Sequence, residues 1–121
     1  MTENPETIKV EYLLKGEDDL YYDLFAGVLF TGAVEQFHTD GQLLHRGNYK
    51  NGLQEGLHES FHKDGQLQFV TNYKNGKGDG PWKEFYENGQ LHTRENYKNG
   101  KKYGLLEYFD EEGNLTKIEE W

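Results

Sequence analysis

Hydrophobic and polar residues alternate in short runs along this chain, and the pattern repeats with a period of 24 residues and no insertion. Four columns hold the same residue in every copy, and a fifth is always aromatic. The invariant columns are Gly32, Gly56, Gly80 and Gly104; Phe37, Phe61, Phe85 and Phe109; Gly41, Gly65, Gly89 and Gly113; and Leu43, Leu67, Leu91 and Leu115. The aromatic column is Phe25, Tyr49, Tyr73, Tyr97 and Trp121. Such a strict period indicates a tandem array of one supersecondary unit.

Each copy contains two short strands and two turns. Asp40-Gly41, Asp64-Gly65 and Asn88-Gly89 predict hairpin turns, because these pairs readily adopt the positive φ that tight hairpins need. Tyr-Lys-Asn-Gly recurs at 49–52, 73–76 and 97–100 and predicts the turn into the next copy. The glycine column that follows predicts a bulge or a place where an aromatic ring lies on bare backbone. The fold class is therefore all-β: an antiparallel meander of hairpins in a single-layer twisted sheet or open β-solenoid, each strand pairing with its sequence neighbour.

The register follows from keeping the apolar residues together. A three-residue turn at 63–65 places Phe61 opposite Leu67, and regular alternation then adds Leu57, Phe69 and Tyr73 to the same face. We expect this Phe–Leu–Tyr stripe to be the buried face. The other face is then expected to carry two columns, namely Val34, His58, Trp82 and Leu106, and His38, His62, Tyr86 and Asp110.

The chain divides into residues 1–24, which follow the period only weakly, and residues 25–121, which contain the four copies. Ile8, Val10 and Tyr12 alternate as a strand does, and residues 16–19 resemble a turn. We interpret residues 1–24 as an irregular first hairpin that caps the array, with acidic side chains that discourage edge-to-edge association.

Composition narrows the class of partner. Only 34% of the residues are hydrophobic while 15% are aromatic, and there is no cysteine. Aromatic content this high argues against disorder and favours a thin β-structure. The formal net charge of −9 disfavours nucleic acid and anionic membranes as ligands and leaves a basic protein as a plausible partner. Solubility is the simpler explanation of the charge, because a single-layer sheet needs charge to stay apart from its neighbours. Residues 24–30, the longest apolar stretch near the start, are too few to span a bilayer, so a cytoplasmic location is expected.

The repeat resembles a known bacterial family. Tyr73-Lys-Asn-Gly-Lys77, Gly80-Pro-Trp82, Phe85-Tyr86 and Asn88-Gly-Gln-Leu91 are similar to the variant form of the MORN repeat, a β-hairpin repeat. Leu20-Tyr-Tyr22 followed by Leu29-Phe-Thr-Gly32 is similar to the start of proteins in the YwqK-type antitoxin family. The resemblance covers roughly residues 20–121. It implies a MORN-like sheet and a protein that neutralises a cognate toxin by direct binding, and it carries no catalytic residue.

The sequence predicts neither a catalytic site nor a metal site. The histidines lie too far apart along or across the strands to share a zinc ion, and no thiolate is available. Ser60, the only serine, shares a strand face with His58 and His62, and residues on one flat strand do not converge as a nucleophile and base. Glutamates at 35, 59 and 107 form a repeated column typical of a solvated surface. We therefore predict no enzymatic activity, no cofactor and no metal.

The aromatic and histidine residues whose identity changes between copies are the candidate partner contacts, since Tyr and Trp dominate interface hot spots. They are Trp82, Tyr86, Tyr108, His58 and His62. The leading hypothesis is a non-enzymatic protein-binding module of the antitoxin or immunity type, directed at a basic toxin. A carbohydrate-binding aromatic repeat and a structural scaffold that self-associates, for example as a homodimer, are the alternatives.

Overall fold

The computed structural model describes residues 6–121, and strands make up most of this part of the chain. A 3-10 turn at Val10–Tyr12 follows the first strand. The strands are β1 Glu6–Lys9, β2 Leu13–Lys15, β3 Tyr21–Asp23, β4 Gly32–Phe37, β5 Leu43–Lys50, β6 Leu53–Gln54, β7 Gly56–Phe61, β8 Leu67–Lys74, β9 Lys77–Gly78, β10 Gly80–Phe85, β11 Leu91–Lys98, β12 Lys101–Phe109 and β13 Leu115–Glu120.

These strands form one open sheet in the order β1-β4-β5-β7-β8-β10-β11-β12-β13, and the short strands β6 and β9 pair with β5 and β8. From β4 onward each long strand pairs antiparallel with its neighbour along the chain. The predicted all-β class and the hairpin meander of the repeats are confirmed. Stability in such an array comes from contacts between adjacent copies, because each copy is bordered only by its neighbours.

Two kinds of turn shape each copy. Gly65 has a φ of 92° and follows Asp64, whose carboxylate accepts a hydrogen bond from the Gln66 amide at 3.0 Å. At the second turn, Asn51 and Gly52 both have positive φ, at 51° and 79°. That pair of left-handed residues is the signature of a two-residue hairpin turn whose twist matches the flanking strands.

The glycine after the second turn marks a break in the strand, and no side chain lies against it at Gly56 or Gly104. β6 ends at Gln54 and β7 begins at Gly56, whose φ is 70°. The turn segment of one copy also hydrogen-bonds to the previous copy. The Gly76 amide donates to the Gln54 carbonyl at 2.9 Å, and the Gly100 amide donates to the Gly78 carbonyl at 2.8 Å. The turns thus form a second row of hydrogen bonds between copies.

The predicted pairing of Phe61 with Leu67 is correct, but the predicted buried face is wrong. A bulge lies beside this pair: Phe61 faces Leu67 and Ser60 faces Phe69, so Gln68 has no partner. The extra residue shifts the side-chain phase of the rest of β8, because side chains alternate strictly along a strand. Phe69 and Tyr73 therefore lie on the same face as Ser60 and His58, while Leu57, Phe61 and Leu67 lie on the opposite face.

The core is an aromatic ladder on the face that we had expected to be the outer one. Rings from successive copies contact one another along the array, with centroid distances of 5.5 Å for Tyr49–His58, 5.0 Å for His58–Tyr73, 5.5 Å for Tyr73–Trp82 and 4.2 Å for Trp82–Tyr97. Val34, His58 and Leu106 are at most 8% exposed. We call this side the ladder face and the side that carries Leu57, Glu59 and Phe61 the Phe–Leu face.

The start of the described chain also departs from the predicted meander. β1 pairs in parallel with β4, and Ile8 lies opposite the buried Val34. β2 and β3 form a separate two-stranded hairpin around a turn at Gly16, and the strand expected to include Val10 and Tyr12 ends at Lys9. The chain leaves the sheet after β1 and returns at β4, and this crossover makes the pairing parallel. The first five residues of the predicted cap lie outside the described residues.

Candidate functional site

The Phe–Leu face carries large apolar side chains that nothing in the described chain covers. On β4 and β7, Phe37 and Leu57 are 43% and 42% exposed. At the other end of the array, Leu105, Leu115 and Ile118 are 42–51% exposed. These residues share a face because the register places Phe109 opposite Leu115 and Glu107 opposite Ile118. The open sheet thus presents one long, partly apolar surface on this side.

Arginine–carboxylate pairs are interspersed among these apolar residues. Arg46 Nε donates to Glu59 Oε1 at 2.8 Å, and its guanidinium lies 5.4 Å from the Phe61 ring centroid. Two copies later, Arg94 Nε donates to Glu107 Oε1 at 2.9 Å, with the guanidinium 5.7 Å from the centroid of Phe109. Each arginine thus pairs across strands with a glutamate and covers a phenylalanine.

The ladder face contains a groove of about 200 Å³ between the second and third copies. Its walls come from β8, β10 and β11, and its lining consists of Phe69, Thr71, Trp82, Lys83, Glu84, Thr93 and Glu95. Register explains this grouping, since Glu84 lies opposite both Phe69 and Thr93, and Trp82 lies opposite Glu95. The groove therefore combines two aromatic rings, two carboxylates and two hydroxyls.

Glu95 is the better positioned of the two carboxylates. The Tyr97 hydroxyl lies 3.4 Å from its Oε1, and Lys102 Nζ lies 3.9 Å from its Oε2. Burial, and secondarily the negative charge of Glu95, raises the pKa of Tyr97 above its usual range, so the phenol stays protonated and able to donate. Glu84 has a longer contact, at 3.7 Å, with His92 Nδ1.

The groove residues Phe69, Glu84 and Glu95 are not among the contacts predicted from the sequence. A signal for them exists in the repeat itself. The column of Glu84 holds Gln36, Ser60 and Tyr108 in the other copies, and that of Glu95 holds Gly47, Thr71 and Glu119. Both columns vary between copies, unlike the glycine and phenylalanine columns, which the repeat keeps constant.

Two of the predicted partner contacts, His58 and Trp82, belong to the core ladder. His58 is 2% exposed, and its Nε2 lies 2.8 Å from the Asn48 carbonyl oxygen. Trp82 lies between Tyr73 and Tyr97 and donates its indole N–H to the Asn72 carbonyl at 3.1 Å. His58 therefore presents no surface to a partner in this conformation, and only the groove-facing edge of Trp82 is accessible.

His62 and Tyr86 connect successive copies. His62 Nε2 lies 2.9 Å from the Phe85 carbonyl oxygen, and the Tyr86 hydroxyl donates to the Phe109 carbonyl at 2.7 Å. Tyr108, the fifth predicted contact, is half-buried on the ladder face opposite Thr93. The structure thus does not bring the five predicted residues together into one patch.

A serine–histidine contact emerges from a strand that the sequence argument did not consider. Ser60 Oγ lies 3.0 Å from Nδ1 of His45 on the neighbouring strand, and the His45 and His58 rings are 5.6 Å apart. Among the hydrogen bonds of residues 6–121, none joins His45 Nε2 to a carboxylate that would orient it as a base. The contact satisfies two half-buried polar groups.

Acidification should destabilise this fold. Burial lowers the pKa of His58 and of its neighbour His45, so the folded chain binds these protons at lower pH than the unfolded chain. The stabilising effect is fully present above the unfolded value of about 6.5 and is lost as the pH falls toward the folded values. We expect the urea midpoint to decrease between about pH 7.5 and pH 5.5.

The matched variants for this measurement are His58→Leu and His92→Asn. In His58→Leu the urea midpoint should change less with pH than in the wild-type protein, because His45 is then the only one of these two imidazoles left. His92→Asn removes a half-exposed imidazole outside the ladder and is the control for the loss of a histidine. A midpoint that does not change with pH in the wild-type protein would contradict the assignment.

Metal sites and membrane-spanning helices are two further features that bear on function. Within residues 6–121, no group of three or more His, Asp or Glu side chains is arranged to hold a metal ion. The same part of the chain contains no helix that is long and apolar enough to cross a membrane.

A family model described as a MORN repeat variant matches residues 30–51, 54–75 and 78–99, which together make up more than half of the chain. No curated protein and no solved structure matches it. The fourth hairpin lies beyond the matched residues but has the same geometry, with Gly104 in the left-handed region and Phe109 opposite Leu115.

Proposed function

The chain belongs to the MORN repeat variant family, and from this we propose that it is a non-enzymatic module that binds another protein through its Phe–Leu face. MORN repeats generally act as binding modules for proteins or membranes. The observation that carries the proposal is the row of exposed apolar side chains on that face, at Phe37, Leu57, Leu105, Leu115 and Ile118. Large apolar side chains that are exposed together on one sheet face are typical of interaction sites.

The finer proposal is that the partner is a basic toxin that this chain neutralises in the bacterial cytoplasm. The net charge of −9 supports a basic partner, since opposite charges accelerate association and disfavour wrong partners. The similarity of Leu20-Tyr-Tyr22 and Leu29-Phe-Thr-Gly32 to antitoxin sequences supports the class of target. A non-enzymatic chain of this kind would inhibit the toxin by covering its surface.

The test uses Leu57→Glu/Leu105→Glu as the variant and Leu14→Glu as the matched control. All three leucines are 42–53% exposed, but Leu14 lies in the separate N-terminal hairpin. Wild-type and control baits should retain one basic protein from the lysate of the source cell in stoichiometric amounts, and the double variant should lose it. Expression of the captured protein alone should arrest growth, and co-expression of the wild-type chain should restore it.

The experiment tests the binding face and the antitoxin role separately. Equal retention by the double variant would rule out the Phe–Leu face, and a captured protein that does not arrest growth would rule out the antitoxin role. Light scattering of the free chain adds a third readout. A dimer that the double variant converts to a monomer would show that this face binds a second copy instead.

A further inference from the structure

The groove on the ladder face differs from the Phe–Leu face in having glutamates and a phenylalanine without an arginine between them. On the Phe–Leu face, each of the glutamates Glu59 and Glu107 holds an arginine that also covers a phenylalanine. In the groove, Glu84 lies opposite the 39%-exposed Phe69, but no arginine of residues 6–121 is paired with it. The phenylalanine and the carboxylate are thus present without the cation.

The polar side chains near the groove contact its two carboxylates only at long distances. His92 and Lys102 reach Glu84 and Glu95 at 3.7 and 3.9 Å, longer than the arginine pairs on the other face. Lys83 also lines the groove, but the alternation of side chains along β10 directs its ammonium group to the Phe–Leu face. An additional cation therefore fits the charge of the groove.

We propose that this groove is a second binding site, independent of the Phe–Leu face, which receives the side chain of an arginine presented by a protein. A guanidinium is planar, so it can stack on the exposed Phe69 ring while its N–H groups reach two carboxylates. Glu84 and Glu95 are diagonal neighbours across β10 and β11, at a separation of about 7 Å, which one guanidinium can bridge. The hydroxyls of Thr71 and Thr93 can accept further N–H donors.

Arginine is favoured over lysine on geometric grounds. An ammonium is a compact point charge that keeps its hydration and cannot stack as a plane. The Tyr97 hydroxyl and Lys102 near Glu95 restrain that carboxylate before any ligand arrives, which reduces the entropy lost on binding. The chain thus supplies a preorganised carboxylate and a stacking surface.

The test titrates the full-length chain with N-acetyl-arginine N-methylamide and follows backbone amides by two-dimensional NMR. We expect saturable shifts confined to residues 69–71, 82–84 and 93–95, with a dissociation constant in the millimolar range, as expected for a fragment-sized ligand. The corresponding lysine derivative should bind more weakly. The neutral citrulline derivative should produce no saturable shifts, because it lacks the charge.

Glu84→Gln/Glu95→Gln is the decisive variant, and Glu17→Gln/Glu35→Gln, at two glutamates outside the groove, is the matched control for two lost negative charges. The double variant should weaken arginine binding at least about tenfold, while the control should retain wild-type affinity. Thermal melts of both proteins verify that the fold is unchanged.

Equal affinity in the double variant, shifts spread over the whole acidic surface, or lysine binding as tight as arginine would each overturn the proposal. These outcomes do not depend on the Phe–Leu face, so they are distinguishable from failure of the capture experiment.

Discussion

Trp82→Ala should lower the free energy of unfolding by about 3 kcal/mol, the lower end of the range for removing a packed tryptophan. The indole links the third copy to its neighbours, with ring centroids 5.5 Å from Tyr73 and 4.2 Å from Tyr97, and it satisfies the Asn72 carbonyl at 3.1 Å. A small domain has only about 5–15 kcal/mol of stability in total, so the loss is a large part of it. Urea unfolding followed by far-UV circular dichroism measures the change.

Phe37→Ala is the matched control for this experiment. Phe37 belongs to an invariant column, whereas the column of Trp82 varies, so the repeat pattern alone predicts the larger loss at Phe37. The structure reverses this order, because Phe37 is 43% exposed and its replacement should cost about 1 kcal/mol. A loss at Phe37 equal to or greater than that at Trp82 would show that the ladder is not the core.

Gly47→Ala should cost about 2–3 kcal/mol, the upper part of the range of about 1–3 kcal/mol for overpacking a closely packed site. Gly47 is buried opposite Val34, and a Cβ there would overlap the imidazole ring of His58. The ring cannot readily move away, since its centroid is 5.5 Å from Tyr49 and 5.0 Å from Tyr73 and its Nε2 is bonded to Asn48. The backbone φ of Gly47 lies outside the left-handed region, so the cost is steric and not conformational.

A double-mutant cycle with His58→Ala isolates this contact. In the His58→Ala background the added methyl group has space, and Gly47→Ala should then cost close to nothing. The coupling energy between the two positions should therefore nearly equal the cost of Gly47→Ala in the wild-type chain. Additive effects of the two substitutions would mean that His58 does not lie over Gly47.

The sequence was sufficient to list varying positions as candidate contacts, but it did not show which of them are exposed. The five predicted contacts were chosen because they are aromatic or imidazole side chains at positions that vary, but variation alone does not separate a ring in the core from one at the surface. His58 varies and is 2% exposed, while Glu84 varies and lines the groove. Side-chain type favoured the rings, so Glu84 and Glu95 were missed although the same comparison of copies contained them. Phe69 was missed because regular alternation placed it on the face that was expected to be buried.

Local chemistry by itself determined the period, the hairpin turns and the pairing of Phe61 with Leu67. Asp-Gly and Asn-Gly turns need only residues within a few positions of one another, so the sequence is sufficient to predict them. The tertiary structure decided which face is buried, because the unpaired Gln68 reverses the side-chain phase between Leu67 and Phe69. The structure also decided that β1 pairs in parallel with β4 and that β8, β10 and β11 enclose a groove, since both depend on contacts between residues distant in sequence.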